Sequence, residues 1–214
     1  RPALRIVDPV AGFLELGVSP EQAPDTPTYV TIHFEKGIPT AVDGKEMESV
    51  ELVEYPPTGI VAPDEVFPRT AAWAPRRWYS GWTRSILPNA RFDARSTELA
   101  LAELFEASNP DVAWWVRVEA HQDVWIPYGH RQRHYPDFIV VTGDGDHWMV
   151  EGKADDRAND PDVIEKKAAG YEWSRFANDS GDATATWHYL FATETAIKQA
   201  GGTWTALKNF AEWE

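Results

Sequence analysis

Cysteine is absent from this 214-residue chain. That excludes disulfides, thiolate zinc sites and cysteine nucleophiles, and it fits a reducing cytosol. Long apolar runs are missing too: none approaches the ~20 residues a helix needs to cross a bilayer. No secretory leader is visible, so a cytoplasmic location is expected. There is no glycine-rich phosphate loop of the G-x-x-x-x-G-K-[ST] form, which leaves the chain without an ATP-driven motor of its own. Basic residues are scarce, 20 Lys and Arg against 34 Asp and Glu, for a net charge of −14. Nonspecific grip on a polyanion comes from lysine and arginine, so the charge balance argues against a free-standing nucleic-acid-binding module. An acidic chain can still supply the carboxylates a magnesium site requires. The first residue is Arg1 rather than methionine, as in a piece of something longer.

What is present is aromatic. Eleven tryptophans are expected mainly as core anchors, because large rings contribute most to core packing. Residues 1–68 are rich in proline and acid and carry one strand-like run, Tyr29-Val30-Thr31-Ile32-His33-Phe34. They are expected to form a β-rich N-terminal segment or connector. Residues 69–214 form the main domain. Its first stretch, to Arg95, interleaves Arg69, Arg76, Arg77, Arg84, Arg91 and Arg95 with Trp73, Trp78, Tyr79 and Trp82. Two readings stay open there: a strip tracking a nucleic-acid backbone, or a linker that packs its tryptophans on the domain. Ser96 to Ser108 has helical spacing through Leu101, Ala102, Leu104 and Phe105, with Ser96 as cap and Asn109-Pro110 as stop. Glu98 shares the inward face; Glu103 and Glu106 fall on the opposite, solvated one. Strands are expected at 113–119, 124–128, 135–141 and 147–153. A helix follows, opened by Asp160-Pro161 and running to about Asn178, with Ile164, Ala168, Tyr171 and Phe176 as its apolar stripe. A strand at 186–193 and a helix at 203–213 close the chain. The order predicts an α/β fold around one mixed sheet.

Chemistry concentrates in Tyr135-Pro136-Asp137-Phe138 and Val150-Glu151-Gly152-Lys153. The Gly143-Asp144-Gly145-Asp146 turn predicts that these strands form a hairpin. Alternation then sets Asp137, Ile139 and Val141 on one face, and Met149, Glu151 and Lys153 on one face of the partner. In the right register Asp137, Glu151 and Lys153 converge. Two carboxylates suit Mg2+, with Mn2+ as substitute and the Gly152 carbonyl as a neutral ligand. Lys153, held protonated by the carboxylates, would orient a water or stabilise developing negative charge. The alternative is a cross-strand ion network of little energetic weight. The apolar flanks Phe138-Ile139-Val140-Val141 and Trp148-Met149-Val150 favour a central hairpin, where charge is costly unless paired or metal-bound. His121, His130 and His134 lack metal-site spacing and are expected to be solvated or phosphate-facing.

Pro136-Asp137 followed by Glu151-Gly152-Lys153 resembles the PD-(D/E)xK nuclease signature. With Ser80-Gly81-Trp82, Phe92-Asp93, Glu98, Trp114-Trp115-Val116-Arg117 and Lys167 through Trp173, residues 75–214 look like the C-terminal nuclease domain of type III restriction endonucleases and related DEAD/DEAH-box helicase proteins. The resemblance implies a restriction-endonuclease-like mixed sheet and a Mg2+-dependent endonuclease acting on double-stranded DNA. It implies Asp137 and Glu151 as metal ligands, Lys153 as catalytic lysine and Glu98 as the acid completing the site. Arg131, Arg133, His134 and Lys167 would contact nucleic acid, and the partner would be a helicase, translocase or methyltransferase subunit in a restriction system. The alternative is a nuclease fold that has lost its chemistry and only binds DNA or a helicase. Separately, Ser19 to Glu54, with Phe34-Glu35-Lys36-Gly37-Ile38-Pro39, is similar to an internal stretch of argininosuccinate synthase. That family's ATP-binding glycine loop is missing, so no synthetase activity is expected from it.

Overall fold

In a computed structural model of the chain, residues 6–7, 33–34, 65–87, 89–118, 125–129, 132–180, 183 and 185–214 are described. Strands β1 (Ile6–Val7) and β2 (His33–Phe34) pair antiparallel. The rest of the expected N-terminal segment lies outside the described residues, as do His121, His130 and Arg131.

The domain is built on a five-stranded mixed sheet. β6 (Val112–Arg117), β9 (Phe138–Thr142), β10 (His147–Lys153), β11 (Trp187–Thr193) and β12 (Glu212–Trp213) lie in the order β12-β11-β10-β9-β6. Only β10 and β11 run parallel. Their connection is the long helix α2 (Pro161–Ser180), since a parallel pair cannot be closed by a tight turn. The hairpin expected from the Gly-Asp-Gly-Asp run is present: Thr142 N–H donates to the Asp146 carbonyl, and Gly145 sits at φ +95°, a conformation glycine adopts without strain.

Both faces of the sheet are covered, which is why β9 and β10 are apolar on both sides. Trp114, Val116, Ile139, Met149, Tyr189 and Phe191 pack against Trp173 and Ala177 of α2. On the other side Trp115, Phe138, Val140, Val150 and Leu190 meet three helices. These are α1 (Ala100–Ala107), α3 (Glu194–Gln199) and α4 (Trp204–Phe210). Eight of the eleven tryptophans are buried, as expected of core anchors. Among the described residues no helix is long and apolar enough to cross a membrane.

Several local expectations need correction. The arginine-rich stretch packs Tyr79, Trp82 and Trp73 on the domain, as one of the two readings expects, but it is not a plain linker: β3 (Val66–Pro68), β4 (Trp78–Ser80) and β5 (Asn89–Arg91) form a second sheet. Its arginines are engaged within the chain. Arg77 lies over Phe67, Arg91 over Trp78 and Arg76 pairs with Asp93. Glu106 is buried rather than solvated, its side chain 2% exposed. Its carboxylate accepts from Thr83 N and Oγ1, Arg84 N and Trp115 Nε1, pinning the second sheet's connection onto α1. Ser96 caps nothing; a π-helical turn, Arg95–Leu99, precedes α1. The buried stripe of α2 runs through Val163, Ala169, Gly170, Trp173 and Ala177, leaving Ile164 48% exposed. The 124–128 segment is not in the main sheet; β7 (Ile126–Tyr128) pairs with β8 (Gln132–His134) as a separate hairpin. The single closing helix is instead α4 and the edge strand β12.

Candidate cation site

The carboxyl ends of β6 and β10 and the amino end of β9 meet at one edge of the sheet. Met149 pairs with Ile139 and Val150 with Phe138, so the next positions, Glu151 and Asp137, face each other. A slip of one residue would have separated them. The ladder gives way to a side-chain contact there: Gly152 N–H donates to Asp137 Oδ2 at 2.9 Å. Gly152 is needed for this closeness. A Cβ at that position would lie 2.9 Å from Leu101 Cδ1 and 3.2 Å from Thr97 Cβ, so the missing side chain lets the turn before α1 sit directly on β10.

Both carboxylates are buried, Asp137 9% and Glu151 5% exposed. Glu151 Oε1 is 2.8 Å from Lys153 Nζ, while Oε2 is buried with no hydrogen-bond partner. A buried carboxylate oxygen left unpaired is costly. Burial and the facing Glu151 push the Asp137 carboxyl up to about 7, against the pull of Arg117 and the Gly152 N–H. Burial also raises Glu151, opposed by Lys153 and Arg117. Burial pulls the Lys153 ammonium down, but Glu151, Asp137 and Glu98 outweigh it and hold the lysine above its ordinary value.

Glu98 reaches the same edge from the turn before α1. Its Oε2 accepts from Asp93 N–H at 2.6 Å and lies 3.1 Å from Arg117. Burial, then Asp137, raises its pKa, with Arg117 opposing. Arg117 is the member of the cluster that sequence reasoning missed. It bridges Glu98 Oε2 and Asp137 Oδ1 (3.3 Å), donates to the carbonyls of Val118 and Asp137, and lies over the Phe138 ring. Pairing of β6 with β9, which sets Arg117 against Phe138, delivers it.

Of the other expected contact residues that are described, His134 is buried, Lys167 half-buried and Arg133 exposed. His134 is 3% exposed, hydrogen-bonded through Nε2 to Tyr189 Oη at 2.9 Å, and its pKa falls to about 3, by burial and then by Lys166 and Lys153. It is a neutral core imidazole, 4.0 Å from Glu151 Oε2, not a solvated or phosphate-facing side chain. Lys167 is engaged by Glu212 at 3.0 Å and lies over Phe191. Arg133 lies over the ring of Trp125.

The donor set fits a small hard cation in one way. Among the described residues no group of three or more His, Cys, Asp or Glu is gathered at metal-holding distance. Magnesium, though, is commonly held by one or two carboxylates with water completing its shell. Asp137, Glu151 and the Gly152 carbonyl meet that lower requirement.

The family model that matches is the argininosuccinate synthase C-terminal domain, over residues 5–58. Curated relatives of the same name agree. The synthase of Moorella thermoacetica is 74% identical over 35 residues, 16% of this chain and 9% of that protein. That of Acetivibrio thermocellus is 63% identical over 42 residues, 20% and 10% respectively. The Pyrobaculum aerophilum synthase is 30% identical over 127 residues, 56% of this chain and 32% of that protein. The chain thus spans about a tenth of the length of the first curated relatives it matches. No solved structure matches.

These findings overturn the resemblance to type III restriction nucleases. With it fall the Mg2+-dependent endonuclease activity, the DNA-binding alternative, and double-stranded DNA, helicase and methyltransferase partners. Of the outer residues, His134 is sealed in the core, while Arg76 and Arg91 stay exposed on the flank beside Asp93 and Trp78. The likeness of Ser19 to Glu54 to argininosuccinate synthase lies inside the matched stretch, of which only β1 and β2 are among the described residues.

Proposed function

We propose that the chain joins an N-terminal piece related to argininosuccinate synthase to an α/β domain that binds Mg2+ at the Asp137–Glu151 pair. There the domain would hold an anionic oxygen of a small substrate. The observation that carries this reading is the orphaned, buried Glu151 Oε2 beside a second carboxylate. Asp137 Oδ1, Glu151 Oε2 and the Gly152 carbonyl would be the ligands. The cation would supply charge neutralisation and polarisation of a bound oxygen. Lys153, fixed by Glu151 and 28% exposed, remains an ammonium and can receive the anionic group from the solvent side. Arg117 and Glu98 hold Asp137 in place. We further propose that the sheet, with helices on both faces, is of the restriction-endonuclease-like type; no activity on nucleic acid follows from that architecture.

Calorimetric titration with Mn2+ tests the binding reading. The native chain is expected to take up the ion, and Asp137→Ala and Glu151→Ala each to lose it. Uptake unchanged in both variants would rule the site out.

The match over residues 5–58 favours a second reading, that the chain takes part in argininosuccinate synthesis. Its test is argininosuccinate formation by the purified chain, compared with a chain lacking residues 5–58. No product from the intact chain would remove it.

A further inference from the structure

The cluster holds three carboxylates, Glu151, Asp137 and Glu98. The third, Glu98, faces Asp137 across the Arg117 guanidinium, with nitrogens 3.1 Å and 3.3 Å from the two acids. A cation bridging two carboxylates is what a second metal ion would be at that place. Resting on the cation-binding reading above, we propose that Arg117 is a built-in surrogate for a second cation, restricting the site to one divalent ion and leaving Glu98 a positioning residue rather than a metal ligand.

Three features fix the guanidinium there. It is 11% exposed at the side chain. It donates to the carbonyls of Val118 and Asp137, each at 2.7 Å. It lies 5.2 Å from the Phe138 ring centroid, a face that attracts cations. A planar fork of donors suits two separated carboxylates, and its charge cannot be titrated away in the working range. Asp137 therefore spends Oδ2 on the Gly152 N–H and shares Oδ1 with Arg117, while Glu151 Oε2 is unspent. One divalent ion fits this arrangement. With Arg117 replaced by a neutral side chain, Glu98 and Asp137 would face each other uncompensated, and a second ion would be drawn in.

The experiment is Mn2+ stoichiometry by calorimetry, with electron paramagnetic resonance to detect spin-coupled ion pairs, on the full chain. The native protein is expected to bind one Mn2+ per chain with no coupled pair. Arg117→Met is expected to bind two, and Arg117→Met/Glu98→Gln to return to one. Arg117→Lys, which keeps the charge, should stay at one. Arg117→Gln keeps a donor for the Val118 and Asp137 carbonyls and takes the place of Arg117→Met if that variant does not fold. A coupled pair in the native chain, or a single ion in the neutral Arg117 variants, overturns the inference while leaving the cation site standing. A native chain that binds no Mn2+ removes both.

Discussion

Replacing Asp137 with asparagine gives the sharpest test of the electrostatics at the sheet edge. Burial and the facing Glu151 push the Asp137 carboxyl up to about 7, against 3.8 for an ordinary aspartate. A raised folded pKa means that the folded chain holds a proton the unfolded chain has already released. The associated stability is fully present below the unfolded value and is lost as pH rises through about 7. A shift of about 3 units at 1.36 kcal/mol each is worth about 4 kcal/mol between pH 4 and pH 8. For a chain of this size that is roughly 10 °C in thermal midpoint. Asparagine cannot ionise, keeps an oxygen to accept the Gly152 N–H, and leaves Arg117 its partner Glu98. In EDTA, then, the midpoint of the native chain should fall between pH 4 and pH 8 by roughly 10 °C more than that of Asp137→Asn. Saturating Mg2+ should restore the native chain at pH 8 and leave the variant unmoved. Parallel pH profiles for the two proteins in EDTA would refute the reasoning, since the buried pair would then carry no excess charge.

Three further outcomes follow from the packing. Gly170 lies on the Tyr189 ring, where a Cβ would come within 2.4 Å. Gly170→Ala should therefore destabilise by about 2 kcal/mol or more in urea unfolding, despite alanine's better helix propensity of about 1 kcal/mol. Glu106→Ala strips a buried acceptor from four donors. A loss of about 3 kcal/mol or more is expected, with faster proteolysis around Trp82 under native conditions. Lys153→Met removes the cation that competes for Glu151; Mn2+ affinity should rise several-fold in calorimetry, and binding of inorganic phosphate to the loaded protein should be lost.

Much of the central architecture could be read in the chain before its structure. The unbroken apolar runs at 138–141 and 148–150 and the glycine-aspartate turn between them are local signals. They placed Asp137, Glu151 and Lys153 together, and the pairing of Met149 with Ile139 gives the register they required. Pro161 marked the start of α2 for an equally local reason. What escaped was set by distant contacts. Arg117 joins the cluster only because β6 pairs with β9, and the Trp114-Trp115-Val116-Arg117 run marks a strand without assigning Arg117 a place in the site. Glu106 occupies an outward helical position and looked solvated, but the 83–84 backbone folds over it. His134 stands in a polar run, yet faces inward on its short strand and meets Tyr189. The family inference failed for a different reason. A few residues of a widespread carboxylate–lysine pattern, with tryptophans that the core itself demands, imitate a lineage. The run from Ser19 to Glu54, dense in specific identities, pointed to the relatives that comparison finds.

The central claim is that a cation sits between Asp137 and Glu151. Anomalous diffraction from crystals of the full chain grown with Mn2+ addresses it most directly. The account predicts one peak about 2.0–2.5 Å from Asp137 Oδ1 and Glu151 Oε2, with Arg117 still bridging Glu98. A map with no peak at that edge, or with ions only at exposed acids such as Glu103 and Glu172, would contradict it.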